Sequence, residues 1–498
     1  MPVRKTIYII FTLSVILLWG VNLFKEWGTD FGSIYASSYF IDDNYQLYKD
    51  VFSHKGPLYF LFIQALGGVI GWGVWQAYVT LVITSLTFYL SIIYILSKRV
   101  LNNKLFIIIL SISLLLLYKQ GTNLAYSLFQ GGFLLLSFYY LMESIATIDK
   151  NRTTEYVISV SLFVCAVLVR IDVLIYAPAY LVAIIFSSIN RQSYLFILQR
   201  ILTGLFILIA LYMANQIYFG YNIYEFYQHN IEFNSYYAST SLLAYIFRPL
   251  HFSILMNSGV IVLFLIVLLF KYDSIIKKYE SSSIYAVFKT HNGQIYITSI
   301  LIVLLGIILW IVSNSDKNYH VFIVAIPLLF FVSYWGKVVN NISDKLIFVS
   351  APIILYMLML TISVGVKHVL KDKNCLTDIY CSESSIFLYR KTINNISTKD
   401  SATIIGGGGW PYLFADTKPE RAINDWWIYY RKEAFVTKYL LEAHNKLLNQ
   451  PAGYEFWIDN GMLDSSERSD YFYEILDKSE LVENEGKYSR YRIKVSKK

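Results

Sequence analysis

Hydrophobic and polar positions divide this chain into long apolar runs separated by short polar joints, followed by a final stretch of different character. Runs rich in Leu, Ile, Val and Phe fall near 7–24, 75–96, 104–118, 124–142, 156–169, 173–188, 201–219, 252–270, 295–312, 321–336 and 346–365. A helix rises about 1.5 Å per residue, so crossing about 30 Å of hydrocarbon takes about 20 mostly apolar residues. The runs therefore predict a polytopic all-α membrane bundle of about 11 spans. A further run at 57–70 is short and carries Gly67 and Gly68, and it predicts a helix lying at the membrane surface or re-entering it. From about 366 the pattern changes. Short alternating stretches at Ser401–Ile405, Tyr454–Ile458 and Tyr488–Val495 predict strands, and Tyr429–Asn449 has helical periodicity. The expected division is thus 1–365 for the membrane domain, with a first external loop at 25–74, and 366–498 for a small α/β domain.

Composition sharpens the class. Of 498 residues, 56% are hydrophobic and only 15% charged, well below the quarter typical of soluble domains. Arg4 and Lys5 precede the first run, but its apolar core is too long for a cleaved signal peptide, so it is read as retained. Basic residues bias the short loops: Lys98, Arg99, Lys104, Lys150, Arg152, Arg191, Lys277 and Lys278 stand on one side, and fewer stand on the other. By the positive-inside rule the N-terminus is cytoplasmic. An odd number of spans then leaves 366–498 on the outer face, and a chain rich in Ile, Lys, Asn and Tyr fits a bacterial plasma membrane. Cys375 and Cys381 open that domain, where they read either as a disulfide or as two free thiols, and Cys165 reads as a small apolar residue within a span. The basic end, Lys494 to Lys498, is too short for nucleic acid.

The segment after the first run holds the candidate chemistry. It reads Gly28-Thr29-Asp30-Phe31-Gly32, then Tyr48-Lys49-Asp50-Val51-Phe52-Ser53-His54-Lys55-Gly56-Pro57-Leu58-Tyr59. Acids at the membrane boundary are costly and usually functional or paired. Asp30 reads as a catalytic carboxylate or as a solvated loop acid, and Lys55 as a ligand or as a lysine snorkelling toward headgroups. Asp-x-Gly, then Tyr-x-Asp-x-Phe, then Lys-Gly-Pro-Leu-Tyr resemble the first external loop of GT-C-type membrane glycosyltransferases, among them the lipid A aminoarabinose transferase and protein O-mannosyltransferase families. Tyr319-His320 before an apolar run and Gly409-Trp410-Pro411-Tyr412 in the tail agree with that resemblance.

The resemblance implies inverting transfer of a sugar from a polyprenyl-phosphate donor to a cell-envelope glycan, lipid or polymer, with membrane lipids as surroundings. Asp30 matches the family's catalytic carboxylate and Lys55 its phosphate-binding lysine, with Gly56 in place of a proline. His320, Arg170, Lys317 and Arg248 are further candidates for the donor phosphate, although Arg170 and Asp172 also read as a pair neutralising one another. Asp50 and His54 are candidates for acceptor or metal. Two departures bear on metal. The next external loop, Lys119 to Asn123, has no carboxylate, and His54 stands where some relatives have an acid. A divalent ion, magnesium or manganese, is therefore left open. Two rival readings remain: a polymerase of lipid-linked repeat units, which relies on arginine-rich external loops, and a transporter or flippase, which carries acids near the membrane midplane. Gly406–Gly409 lacks a following Gly-Lys-Ser/Thr and reads as a turn. Trp410, Tyr412, Trp426, Trp427 and Tyr430 read as sugar-stacking or headgroup-facing aromatics, and the aromatic loop 222–237 as a cover for lipid or acceptor, or as an interfacial belt.

Overall fold

A computed structural model describes residues 29–41, 45–51, 53–99, 125–145, 153–189, 194–233, 290–312, 318–335, 386–399, 401–406, 417–419, 434–463, 470–486 and 488–494, together with Ile9, Ile109 and Tyr412. The described elements in chain order begin with α1 (Thr29–Phe40), α2 (Pro57–Ile70), α3 (Val74–Arg99), α4 (Ala125–Ile145) and α5 (Thr153–Val169). A 3₁₀ turn (Ile171–Tyr176) leads into α6 (Ala177–Ile189), α7 (Tyr194–Phe219) and α8 (Ile223–Tyr227), which continues as a π turn (Gln228–Glu232). Next come α9 (His291–Val312), α10 (Asn318–Trp335) and α11 (Ile386–Ile396). The rest comprises β1 (Ser401–Ala402), β2 (Ile404–Ile405), β3 (Lys418–Pro419), α12 (Ala434–Leu448), β4 (Glu455–Asp459), α13 (Asn460–Leu463), α14 (Asp470–Asp477), β5 (Ser479–Asn484) and β6 (Tyr488–Ile493).

Each expected span that lies among the described residues falls on a helix. Those expected at 7–24, 104–118, 252–270 and 346–365 lie outside them, apart from the single helical residues Ile9 and Ile109. Among the described residues, four helices are long and apolar enough to cross a membrane, at Gln76–Arg99, Ala125–Ile145, Tyr194–Phe219 and His291–Leu309. The chain is a membrane protein. The segment expected as an external loop contains two helices, α1 and α2. Their backbones are tied where Gln64 Nε2 donates to the carbonyls of Ser38 (3.1 Å) and Ile41 (2.7 Å).

Two compact units emerge, and they do not follow chain order. The first is formed by 1–20, 81–215 and 235–366. Small and hydroxyl-bearing residues let its helices approach, as expected where lipid gives apolar side chains no reason to prefer one another. Ser137 of α4 bonds Ser159 of α5 and Tyr180 of α6. Gly306 of α9 faces Pro327 of α10 so closely that a Cβ would fall 2.8 Å from the proline Cγ. At the far end of α3, Arg99 pairs with Glu143 of α4 and donates to the Tyr334 hydroxyl of α10. Much of α7 is left exposed, with Leu195, Phe206 and Ile217 outward, as suits a helix whose solvent is lipid.

The second unit joins 21–80 and 216–234 to 367–498. Its main sheet has the order β2-β4-β6-β5. β2 runs parallel to β4, and the other neighbours are antiparallel. The stretch expected as one strand at Ser401–Ile405 is two. β1 pairs with β3, whereas β2 joins the main sheet, because the chain changes partner at Thr403. Two apolar cores flank the sheet. One gathers Phe233, Ile405, Leu440, Phe456, Ile458 and Phe472, and the other sets Ala36 and Phe40 of α1 against Ile396, Tyr412, Trp457 and Tyr488. Glu485 sits beneath the sheet and accepts from Trp457 Nε1 (2.9 Å) and Asn395 Nδ2 (2.6 Å). Tyr412, expected among outward aromatics, is instead buried, edge-on to Phe40, with its hydroxyl accepting from the Ile404 N–H at 2.6 Å. Trp410, Trp426, Trp427, Tyr430, Cys375 and Cys381 lie outside the described residues.

Candidate functional site

The turn leading into α2 is where chemistry-bearing residues gather. Pro57 is the first residue of α2, where its missing N–H costs nothing, and Gly56 precedes it in extended backbone. Upstream, the Asp50 N–H and Val51 N–H both return to the Gln46 carbonyl (2.9 and 3.2 Å), and the Tyr48 N–H donates to the Val51 carbonyl at 3.0 Å. Asp50 Oδ2 accepts from the Gln46 N–H at 3.0 Å, so this carboxylate is part of the turn's own bonding.

Lys55 is only 4% exposed, a rare state for a lysine unless its charge is matched. Its peptide is held from both ends. The Lys55 N–H donates to Ser53 Oγ at 3.1 Å, and the Lys55 carbonyl accepts from the Tyr48 hydroxyl at 2.6 Å. A third brace comes from a residue that no local sequence motif marks. His229, in the π turn after α8, places Nδ1 at 3.1 Å from the Ser53 carbonyl. A carbonyl can only accept, so Nδ1 carries the proton. Burial pushes the His229 imidazole down to about 4, with its bonds to the Ser53 and Tyr48 backbone partly opposing that shift. His229 is therefore neutral at pH 7. An α-helix keeps one hydrogen-bond register; the wider π turn shifts the following residues, and such bulges are frequent at functional positions. Asn222 opens α8 with a reciprocal capping box to Glu225, which fixes where that turn begins.

Aromatic packing completes the turn. The Tyr48 ring lies 5.1 Å from Tyr221, 5.2 Å from His229 and 6.0 Å from Phe226. His54 rests on Phe233 at 5.7 Å, and Phe233 belongs to the core under the sheet.

Other sequence candidates fall elsewhere. Asp30 is the second residue of α1; its side chain lies outside what the structure describes. His320, expected on a loop, stands in the first turn of α10, again with its side chain outside the description. Lys317 and Arg248 lie outside the described residues. Arg170 belongs to the first unit, where its Nε is 3.0 Å from Asp172 Oδ2 and its carbonyl accepts from Gln130 Nε2 at 3.0 Å. The two charges thus neutralise one another. Among the described residues, no three His, Cys, Asp or Glu side chains come together as a metal site.

No family model matches the chain, and no curated protein matches it significantly. Solved structures do. A crystal structure of ArnT from Cupriavidus metallidurans bound to undecaprenyl phosphate is similar with a TM-score of 0.62, at 10% identity over 99% of each chain. A second structure of ArnT from that organism, in the apo state, is similar with a TM-score of 0.56, at 10% identity over 98% of each chain. From end to end, this chain has the fold of ArnT, a lipid A aminoarabinose transferase of GT-C type.

Proposed function

We propose that the chain is an inverting glycosyltransferase of GT-C type, which moves a sugar from a polyprenyl-phosphate donor to a cell-envelope glycan, lipid or polymer on the outer face of the membrane. The observation that supports it most strongly is the ArnT fold over essentially the whole chain, one of those ArnT structures being bound to undecaprenyl phosphate. The burial and threefold bracing of the Lys-Gly-Pro turn agree with a lysine held for a fixed ligand.

The chemistry assigns the roles. An acceptor hydroxyl attacks the anomeric carbon and loses its proton to the Asp30 carboxylate as general base. The bond from the anomeric carbon to the phosphate oxygen breaks, and polyprenyl phosphate departs with the electron pair. Negative charge grows on that phosphate, so a preorganised ammonium beside it lowers the barrier. Lys55 takes this role, with His320, Lys317 and Arg248 as further donor contacts and Arg170 as one that must first part from Asp172. Asp50 and His54 remain acceptor-side or metal-side groups, and no step is routed through a metal ion. In this reading the N-terminus is cytoplasmic and 366–498 lies outside.

Purified full-length protein, given radiolabelled sugar on polyprenyl phosphate and a membrane extract as acceptor source, tests the proposal. Wild type transfers label and Asp30→Asn loses about two to four orders of magnitude in rate, the usual weight of an acid–base group. Equal transfer by the two proteins removes Asp30 from the mechanism.

A further inference from the structure

Among the described residues, Tyr48 is the one non-glycine residue with positive φ, at 69°. A Cβ disfavours that conformation, and a bulky side chain there persists only where its surroundings over-determine it. Turns that need positive φ are served more cheaply by Gly or Asn. Here the strained residue is a tyrosine, 2% exposed, ringed by Tyr221, Phe226 and His229, with its hydroxyl carried seven residues along the chain to the Lys55 carbonyl.

The carbonyl it meets needs outside support. Gly56 has the greatest backbone freedom of any residue, and Pro57 has no N–H. The peptide after Lys55 therefore sits at a pliable joint, just ahead of the helix. We propose that Tyr48 is a positioning residue for Lys55: its strained backbone and buried ring place the hydroxyl so that the Lys55 peptide is fixed and the ammonium starts from one point. The ring's neighbours come from the segment after α7, so that segment and the turn hold the lysine jointly. This rests on the reading of Lys55 as the donor-phosphate group. Tyr48 touches the lysine's backbone and not the reacting atoms.

Tyr48→Phe keeps the ring and removes only the hydroxyl. In transfer assays on the full-length protein, with a polyprenyl-phosphate sugar as the varied donor, its donor KM is expected to rise about five- to tenfold, the weight of one buried hydrogen bond. Acceptor KM stays at the wild-type value, while the melting temperature falls by no more than the loss of one buried hydrogen bond. In a Lys55→Ala background the same substitution adds nothing, because the group it positions is gone. Ser53→Ala removes the brace on the preceding peptide, at the Lys55 N–H, without touching a ring and is expected to shift donor KM the same way. The proposal is overturned by an unchanged donor KM in Tyr48→Phe. It is equally overturned by a matched rise in donor and acceptor KM, or by an undiminished effect in the Lys55→Ala background. Should Lys55→Ala itself leave donor KM unchanged, the lysine assignment fails and this inference with it; a strong Lys55→Ala effect beside a silent Tyr48→Phe overturns the Tyr48 role alone.

Discussion

Replacing Phe233 by alanine cuts the link between the lysine-bearing turn and the sheet beneath it. Phe233 is fully buried, packed with Ile405, Phe456 and Ile458 on one side and carrying the His54 ring on the other. Truncating a buried Phe to Ala costs about 3–5 kcal/mol, the transfer term plus the cavity that remains. The site is a poor one for collapse, since the strands lining it are tied into a four-stranded sheet. Amide exchange localises the loss: protection in β2 and β4 should fall by about two to three and a half orders of magnitude, the exponential equivalent of that range. Amides of α4 and α5, which belong to the other unit, serve as the internal reference. Phe233→Leu, which keeps most of the volume, should cost about 1 kcal/mol. Wild-type protection in β2 and β4 of the alanine variant would refute the packing argument, since a filled core cannot lose a phenyl ring without consequence.

His229 makes stability depend on acid. Its folded value of about 4 lies below the unfolded 6.5, so the unfolded chain binds the proton first as pH falls. Full stability is present above pH 6.5 and is lost progressively down to pH 4, by about 3 kcal/mol from this group; in His229→Gln the melting temperature should lose that component of its slope between those values, and an identical slope would contradict the burial argument. Gly306→Ala drives a methyl into Pro327 and within 3.1 Å of the Tyr176 hydroxyl. Neither ring can swing away freely, so a cost of about 1–3 kcal/mol is expected, read as a lower melting temperature in detergent; an unchanged one would show that α9 and α10 separate easily.

The membrane helices were legible because each carries its own signal. Runs such as 75–96 and 201–219 announce α3 and α7 without reference to any partner. α1 escaped because Ser33, Tyr35, Ser37 and Ser38 make it too polar for a span. It is held instead by Tyr35 against Trp72 and by Phe40 against the core of the C-terminal segment. β5 escaped for a similar reason. Glu480, Glu483 and Asn484 mark a solvated edge strand whose order comes from pairing with β6. In the site, Lys55-Gly56-Pro57 could be read directly, since composition and spacing are local. His229 could not, because its meaning depends on a contact spanning 176 positions to the Ser53 carbonyl. Its neighbourhood was visible as an aromatic stretch at 222–237, and a lone histidine in such a segment is the signal that was available. Tyr48 likewise showed nothing of its positive φ, which packing imposes.

Binding of undecaprenyl phosphate to the purified full-length protein tests the central assignment most directly. Titration of wild type against Lys55→Ala at fixed ionic strength isolates the ammonium's share. A charge-assisted contact to phosphate corresponds to about ten- to hundredfold weaker binding in the variant. Equal affinity in the two proteins would mean that this buried lysine holds something other than the lipid phosphate.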